Sequence, residues 1–275
     1  MATLYLVSTP IGNLGDISQR AIETLKNVHY IACEDTRRSS HLFNHFDISL
    51  KEKTVTSLFG ENERSKIPKV LEWLDGGSDV ALLSDAGTPL ISDPGEKLVE
   101  KVLEGSHNVI SIPGPTALIS ALVISGIDAS QFFFEGFLPR KASDRKKRME
   151  FLASLPYTSI LYEAPHRILK TLEELGLICG EDRKIAVTRE LTKVHEEVFR
   201  GTIGEAIKLI EIPKGEYVLI LEKFSAERAS LPEASELKEI YLKLVKDLDP
   251  KEAVEVLSKE YGATRRQIYS IVRVK

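Results

Sequence analysis

Residues 82–95 read LLSDAGTPLISDPG, and this stretch indicates how the chain folds. Two leucines end an apolar run, and two aspartates, two glycines and two prolines follow within twelve residues. An ordinary surface turn needs about two such residues, so this density is typical of a loop that is shaped to bind a ligand. The stretch therefore predicts a buried strand that ends in a binding loop.

Three more apolar runs end in loops of the same kind, and helical patterns separate them, as in a parallel α/β sheet. The four strand-like runs are LYLVS (4–8), HYIAC (29–33), DVALLS (79–84) and NVISI (108–112). The other three loops are STPIGNLGD (8–16), CEDTRRSS (33–40) and PGPTA (113–117). Ligands of such sheets bind beyond the carboxyl ends of the strands, so we expect one binding rim. The alternative is four ordinary strand-to-helix turns.

A second set of strand-like runs follows, and a helical segment ends the chain. The runs are FFFEGF (132–137), SILYE (159–163), KIAVTRE (184–190) and EYVLILEK (216–223). A small, polar linker, SAERASLPEAS (225–235), precedes three helical patterns. The fold class is therefore α/β, with two consecutive α/β domains and a small C-terminal helical domain. We place the domains at 1–115, 116–226 and 227–275.

Two local patterns concern helices. Asp93 and Pro94 are typical of an N-cap and a first helical residue, here for EKLVEKVLEG (96–105). The three short C-terminal helices favour a helix-turn-helix that binds nucleic acid, and a helical lid or a dimer strut is the alternative.

His41 and His45 have the spacing of metal ligands, but Leu42 occupies the place of a zincin glutamate and no third ligand is evident. We therefore predict no metal site.

Composition limits the possible functions. The 275 residues are 43% hydrophobic and 28% charged, as in an ordinary globular protein, and the formal charge of −4 argues against a uniformly basic nucleic-acid-binding protein. Cys33 and Cys179 have no paired spacing, which favours reduced thiols. The sequence has no apolar run of about 18 residues and no signal-peptide pattern at Met1. We therefore expect a cytoplasmic protein with no membrane span.

The loops favour a ligand without phosphates. The chain has no Walker A pattern, and STPIGNLGD is not the G-x-G-x-x-G fingerprint of dinucleotide-binding turns. Aspartates at strand ends suit ribose hydroxyls, and their negative field favours a cation such as a sulfonium over a pyrophosphate.

Seven motifs resemble, in order, those of the bacterial ribosomal RNA small subunit methyltransferase I family, within the tetrapyrrole methylase superfamily. They span residues 9–197 and read TPIGNLGDIS, ACEDTRRSS, SDAGTPLISDPG, IPGPTA, GFLPRK, YEAPHR and TRELTKVHEE. The resemblance implies an enzyme that uses S-adenosylmethionine to methylate the 2'-hydroxyl of a cytidine in small-subunit (16S) rRNA. It also implies a homodimer, a terminal helix-turn-helix, and a donor that binds between two α/β domains.

The resemblance also implies which residues bind the donor and the RNA. The implied donor pocket consists of Pro10, Ile11, Gly12, Asp85, Ala86, Gly87, Thr88, Thr116, Ala117, Tyr162 and Glu163. Ser8 is a departure, since alanine is common in the family at this position. The candidate substrate-binding residues are Arg37, Arg140, Lys141, His166 and Arg189. His166 follows Pro165 and is expected to open a helix.

The chemistry requires an in-line attack by a ribose hydroxyl, so a proton acceptor or a nearby cation would help. Asp35 is the candidate base, although it is equally suited to cap a helix or to pair with Arg38. The basic run 140–148 can bind RNA phosphates, and Phe137 can stack on a base; a solvated helix start is the alternative. Two other functions stay open: methylation of a tetrapyrrole precursor, and a non-catalytic module that binds a nucleoside.

Overall fold

The protein is described by a computed structural model that covers residues 1–210, 213–224, 232–246, 248–261 and 265–272. It divides into two compact units, Met1–Ala153 with Tyr157–Glu222, and Ser154–Pro156 with Lys223–Lys275. Both β-sheets belong to the larger unit.

The first sheet has five parallel strands in the order β3-β2-β4-β1-β5. The strands are β1 (Thr3–Val7), β2 (Tyr30–Cys33), β3 (Thr54–Ser57), β4 (Val80–Leu83) and β5 (Asn108–Ile112). All four residues of the central strand β4 are buried, because helices cover both faces of the sheet. The short edge strand β3 was not predicted, because its residues TVTS include only one apolar side chain.

Five helices connect and follow these strands, and they form the outer layers. They are α1 (Gln19–Asn27), α2 (Thr36–His45), α3 (Glu63–Asp75), α4 (Glu96–Glu104) and α5 (Ala117–Ile124). One apolar cluster on the sheet includes Leu82, Trp73 and Val102, and another includes Leu25, Phe43 and Leu83. The sheet is therefore sandwiched between two hydrophobic layers, as the apolar strands predict.

The second sheet is mixed, with the order β6-β7-β10-β8-β9. Its strands are β6 (Phe132–Phe137), β7 (Thr158–Glu163), β8 (Lys184–Arg189), β9 (Glu197–Thr202) and β10 (Tyr217–Leu221). Only β6 and β7 pair in parallel, and the other neighbours are antiparallel. Its helices are α6 (Ala142–Ser154), α7 (Ile168–Cys179) and α8 (Ile203–Leu209). The edge strand β9 was not predicted, because its residues EVFRGT are mostly polar or partly exposed.

A third apolar cluster joins the two sheets. It brings Ile11, from the loop after β1, together with Leu118 of α5, Ile160 of β7, Leu191 and Val218 of β10. Helix α5 is apolar on all sides, ALISALVI, which suits a helix packed between two layers. The two-sheet α/β architecture expected from the sequence is confirmed.

Two predicted helix starts were wrong. Gly95, and not Asp93, is the N-cap of α4, and no side chain caps that helix. The Gly95 φ of 128° is a conformation that other residues rarely adopt, and it turns the chain into the helix two residues later than the Asp-Pro pattern indicated. Helix α7 begins at Ile168, so His166 lies in the turn before it and does not open the helix.

The smaller unit contains α9 (Ala234–Leu244), α10 (Pro250–Glu260) and α11 (Arg265–Val272). Leu237, Val254, Leu257 and Ile268 form its apolar cluster. Helix α10 begins at Pro250 behind a capping box in which the Asp249 side chain accepts backbone hydrogen bonds. Most of the predicted linker, residues 225–231, lies outside the described residues. No helix in the described ranges has the length and apolarity that a membrane span requires.

We predict that Gly95→Ala lowers the free energy of unfolding by about 1–3 kcal/mol, the usual cost of a side chain in a disfavoured backbone region. A Cβ at Gly95 would lie 2.8 Å from Leu82 Cδ2, which adds to the strain. Urea denaturation measures the change, and Gly60→Ala is the control, because a Cβ there meets nothing within 4 Å. Equal stability of the two variants would contradict the prediction.

Candidate methyl-donor cavity

A cavity of about 420 Å³ lies between the two sheets, at the carboxyl edge of the first. The first half of the chain contributes the loops after β1, β4 and β5, and the second half contributes residues around β7, β8 and β10. The lining residues are Ile11, Ala86, Gly87, Thr88, Ile91, Ser92, Asp93, Thr116, Ala117, Phe137, Tyr162, Glu163, Ala164, Pro165, Leu191, Glu216, Tyr217 and Val218. Its volume is in the range typical of small-molecule sites.

Hydrogen bonds tie the three loops of the first sheet together. Thr9 and Gly87 exchange two backbone hydrogen bonds, of 2.9 and 3.0 Å, between the loops after β1 and β4. The Ser8 hydroxyl donates to Thr88 Oγ1 at 3.1 Å, and Thr88 Oγ1 donates to the carbonyl of Pro115 at 3.1 Å. The Thr88 hydroxyl therefore links the loops after β1, β4 and β5 at the edge of the cavity.

Two loops that line the cavity share an unusual backbone arrangement. Leu90 and Ser92 have φ values of 73° and 66°, and Glu190 and Thr192 have φ values of 51° and 66°. A left-handed conformation costs a side-chain-bearing residue about 1–2 kcal/mol. In each loop the residue between the two left-handed positions lines the cavity and belongs to the apolar cluster between the sheets: Ile91 and Leu191. Strain of this kind is concentrated at functional sites.

Gly12 allows the two halves to approach each other closely. A Cβ at this position would lie 2.5 Å from Lys193 Cγ, 2.8 Å from the carbonyl oxygen of Leu191 and 2.8 Å from Thr192 Oγ1. The loop after β1 therefore packs directly against the loop between β8 and β9. Only glycine fits there without movement of the backbone.

Aromatic side chains form one wall of the cavity. Tyr162 accepts a hydrogen bond from the backbone N–H of Leu118, at 3.1 Å, and burial raises the pKa of its phenol. The rings of Phe134 and Phe137 pack edge-to-face against Tyr162, with centroids 5.0 and 5.6 Å away. Phe137 is 53% exposed, so this ring lies where the cavity meets solvent.

The charges on the cavity wall are all negative. The lining residues include Asp93, Glu163 and Glu216, and none of the residues that line it in the described chain is lysine, arginine or histidine. Two of these carboxylates are engaged by other groups. Glu163 accepts hydrogen bonds from Thr171 and Ala164, and Glu216 pairs with Lys193 at 2.9 Å.

Asp93 differs from the other two acids. Burial raises its pKa to about 7, and the negative charges of Glu34 and Asp85 act in the same direction. A hydrogen bond with the Ser84 side chain acts in the opposite direction. None of the ion pairs in the described ranges includes Asp93. Both its neutral and its ionised forms are therefore present near neutral pH.

An ionic network lies beside the cavity. Asp85 Oδ1 accepts the backbone N–H of Asp35 at 3.0 Å, and Asp85 Oδ2 pairs with Arg38 at 3.3 Å. The Asp35 side chain caps α2 and pairs with Arg37, at 3.1 Å, and the hydrogen bonds from Arg37 lower the pKa of Asp35. Burial raises the pKa values of Asp85 and Glu34. This network fixes the loops after β2 and β4 relative to each other.

Residues 3–207 match the family model for Tetrapyrrole (Corrin/Porphyrin) Methylases. The chain is 44% identical over 274 residues to the ribosomal RNA small subunit methyltransferase I of Synechocystis sp., which covers 98% of this chain and 97% of that protein. It is 41% identical over 284 residues to the protein of the same name from Bacillus subtilis, which covers 100% of this chain and 95% of that protein. The chain belongs to the ribosomal RNA small subunit methyltransferase I family.

Solved structures of tetrapyrrole methyltransferases share the fold. The uroporphyrin-III-C-methyltransferase from Thermus thermophilus aligns with a TM-score of 0.57 and 16% identity, over 81% of this chain and 95% of that chain. The methyltransferase CobJ aligns with a TM-score of 0.63 and 16% identity, over 81% and 95%. At this identity the likeness concerns the fold alone. The methyl donor of this family member is S-adenosylmethionine, as expected from the sequence.

Most of the predicted donor residues lie together. Eight of the eleven line the cavity: Ile11, Ala86, Gly87, Thr88, Thr116, Ala117, Tyr162 and Glu163. Pro10 and Asp85 instead border a neighbouring recess of about 160 Å³, together with Arg38 and His41. Gly12 packs against residues 191–193, as described above. Glu163 lines the cavity, but its buried carboxylate is directed to Thr171, Ala164 and Arg167.

The predicted catalytic and substrate residues are more scattered. Asp35 caps a helix and does not line the cavity. Arg140, Lys141 and His166 are exposed, and Lys141 pairs with Asp144 at 3.6 Å. Arg189 donates to the carbonyl of Lys214 and pairs with Glu197, and it borders a separate groove beside β9.

The basic run 140–148 is not a uniform charged surface. Arg145 is buried and pairs with Glu174 at 2.5 Å. Arg148 donates from Nε to both carboxylate oxygens of Glu135, at 2.7 Å, and its guanidinium lies over the rings of Phe133 and Phe151. Both arginines therefore already pair with a carboxylate of the fold, and Arg148, with 39% of its side chain exposed, is the more accessible of the two. The exposed cations of the run are Arg140, Lys141, Lys146 and Lys147.

Sequence reasoning missed three features of the cavity. Asp93 was assigned as a helix cap, because Asp-Pro is the usual pattern at that position. Ile91 and Leu191 were not identified, since a left-handed pair around an apolar residue leaves no clear sequence signal. Residues 216–218 were predicted only as part of a strand, and their place in the cavity lining was not predicted. The order of the second sheet places them beside Tyr162 and Glu163.

We predict that Asp93→Asn raises the melting temperature, and that the gain is larger at about pH 8 than at about pH 5. The folded-state pKa of Asp93, about 7, is above its unfolded value, so the folded protein loses stability as this group ionises with rising pH. Asparagine stays neutral and avoids the loss. Thermal melts at the two pH values test this, and a gain that is equal or smaller at the higher pH would contradict it.

Proposed function

We propose that this chain transfers a methyl group from S-adenosylmethionine to the 2'-hydroxyl of a cytidine in small-subunit (16S) rRNA, and that the cavity between the two sheets binds the donor. Relatives that match almost the whole chain are named ribosomal RNA small subunit methyltransferase I, which supports rRNA as the acceptor. The 2'-hydroxyl and the cytidine are the finer part of the proposal, and they come from the family resemblance.

The observation that carries the donor site is the charge of the cavity. Its charged lining residues are all carboxylates, which attract a sulfonium and repel a pyrophosphate. The apolar and aromatic side chains around them suit an adenine ring and a thioether carbon chain. A largely apolar cavity of about 420 Å³, whose charged lining residues are carboxylates and include no cation to bind a phosphate, therefore fits a sulfonium nucleoside better than ATP or NAD.

Specific groups of the chain would hold the donor. Ala86 and Gly87 present backbone at the cavity wall, where small residues permit close contact. Thr88, Thr116 and Tyr162 bring hydroxyl groups to the same wall, and hydroxyls can both donate to and accept from a ribose or an amino acid moiety. The predicted residues Pro10, Gly12 and Asp85 would act indirectly, by holding the loops that form the walls.

The bound donor supplies an electrophilic methyl group. The chain then has to align the acceptor hydroxyl with the methyl carbon and to keep water away, and orientation alone can contribute several powers of ten to the rate. Ile11, Ile91 and Leu191 form an apolar surface that excludes water from the inner part of the cavity.

The RNA would approach from the side of Phe137. This exposed ring is available to stack on a base, and the exposed cations Arg140, Lys141 and Lys147 follow it closely in the sequence. Arg37 and His166 are further proposed contacts, while Arg189 would need to release Glu197 to reach a phosphate. The C-terminal helical domain, predicted at 227–275, is proposed as a second RNA contact.

A homodimer and a cytoplasmic location also belong to this proposal, and sedimentation of the purified protein tests the dimer.

Purified protein with labelled donor and three acceptors tests the proposed function: small ribosomal subunits, naked rRNA and a porphyrinogen. We expect label in rRNA, and 2'-O-methylcytidine after digestion to nucleosides, with mass mapping to identify the nucleotide. Label in the porphyrinogen would support a tetrapyrrole methyltransferase, and donor binding with no transfer would support a nucleoside-binding module. Either result would overturn the proposal.

We predict that Ala86→Phe weakens donor binding by at least about tenfold, because the exposed Ala86 lines the cavity and a phenyl group there would occupy the donor's space. Isothermal titration calorimetry measures the affinity. Ala129→Phe is the matched control, since Ala129 is exposed and does not line the cavity. If both variants bind the donor equally well, the donor site lies elsewhere.

Phe137→Ala is expected to lower the rate of RNA methylation at limiting RNA by about tenfold and to weaken donor binding by less than this, because one base–aromatic stack contributes about 1–3 kcal/mol and Phe137 lies at the solvent edge of the donor cavity. Filter-binding and methylation assays measure the two quantities. Phe132→Ala is the control, since Phe132 is 41% exposed on the same strand and does not line the cavity. Loss of RNA methylation in Phe132→Ala alone would contradict the role of Phe137.

A further inference from the structure

Asp93 lies on a conformationally restricted stretch of backbone at the wall of the cavity. It lies between Ser92, whose φ is 66°, and Pro94, whose ring fixes the next φ. Two residues later Gly95 turns the chain into α4. Side chains on a backbone restricted in this way are well placed to keep one orientation toward a ligand.

The titratable and charged groups around Asp93 come from four places in the fold: the ends of β2 and β4, strand β7 and helix α2. Glu34 follows β2, Asp85 follows β4, and both place negative charge near the Asp93 carboxylate. Burial is the main cause that raises the pKa of the Tyr162 phenol on β7, and the charge of Asp93 acts in the same direction. Arg38 of α2 pairs with Asp85, at 3.3 Å, and offsets part of the negative field. Asp93 is thus the carboxylate on the cavity wall whose charge no ion pair of the described ranges neutralises.

We propose that Asp93 is the general base that accepts the proton of the acceptor hydroxyl during methyl transfer. This inference rests on the proposed function, because it requires an acceptor hydroxyl at the cavity.

The proposed step balances in atoms and charge. Asp93 accepts the hydroxyl proton while the acceptor oxygen forms its bond to the methyl carbon, and the electron pair of the broken C–S bond stays on sulfur. One carboxylate and one sulfonium become a neutral carboxylic acid and a neutral thioether. Asp93 then returns its proton to water when the products leave.

The environment of Asp93 suits this role at each stage. A bound cation lowers the pKa of a nearby carboxyl, so Asp93 would be ionised when the hydroxyl arrives. When the positive charge is lost during transfer, the affinity of Asp93 for a proton recovers, and the pKa of about 7 in the absence of a cation favours the protonated product. A base with a pKa near the working pH is the most effective.

The other carboxylates at or near the cavity are less suited. Glu163 has its carboxylate buried against Thr171 and Arg167. Glu216 is paired with Lys193 at 2.9 Å, so its carboxylate is already engaged. Asp35 caps α2 and has a pKa that Arg37 lowers further.

Proton counting by calorimetry tests the inference without turnover. Donor binding is measured at about pH 7 in buffers of different ionisation enthalpy, and the same is done with the demethylated thioether product. We expect the wild-type protein to release a measurable fraction of a proton with the cationic donor and to release less with the thioether. The release should disappear in Asp93→Asn and persist in Asp75→Asn, whose carboxylate is an exposed one at the end of α3. Equal release by Asp93→Asn would overturn the inference.

Single-turnover methylation of rRNA gives the second readout. For the wild-type protein and Asp75→Asn, the rate should rise with pH through the Asp93 ionisation and then level. At saturating donor we expect Asp93→Asn to be about 10²–10⁴ times slower and to lose this pH dependence, and to bind the cationic donor more weakly than the wild type, because an ionised Asp93 attracts the sulfonium. Asp93→Asn at near wild-type rate, or with an unchanged pH profile, would overturn the inference. Absence of methylation by the wild-type protein would instead overturn the proposed function.

Discussion

The paired backbone hydrogen bonds between Thr9 and Gly87 are the constraint on which the cavity depends. They join the loops that leave two adjacent parallel strands, so the loops act as a single wall. The Thr88 hydroxyl extends this wall to the Pro115 carbonyl, and the Asp85 carboxylate extends it to the backbone of Asp35. The second sheet closes the space through an apolar cluster that includes side chains from both halves.

The negative cavity and the cations outside it serve different recognition tasks. Carboxylates at the wall favour a positively charged ligand, while exposed cations such as Arg140 and Lys147 suit a polyanion. The small net charge of −4 conceals this separation, because a sum over the chain cancels the two. The net charge also includes Arg145 and Arg148, which form ion pairs with Glu174 and Glu135.

The sequence was sufficient for the parts of the fold that rest on burial and on strong turn residues. Buried strands such as Val80–Leu83 and the loops that follow them were predictable, since apolar runs and Gly-Pro-Asp clusters are local signals. The edge strands Thr54–Ser57 and Glu197–Thr202 were not, because half-exposed edges lack that pattern. Asp93 shows a different limit of the sequence. An Asp-Pro pair reads the same whether the aspartate caps a helix or lines a cavity, and only the backbone turn at Gly95 distinguishes the two.

The alternation of left-handed and ordinary residues around Ile91 and Leu191 has a consequence for how these loops can change over evolutionary time. In each loop, the two flanking left-handed residues direct one apolar side chain toward the protein interior. Insertion or deletion of a single residue would rotate that side chain toward water, whereas exchange of one apolar group for another would leave the aim intact. These two segments should therefore be far more tolerant of altered chemistry than of altered length.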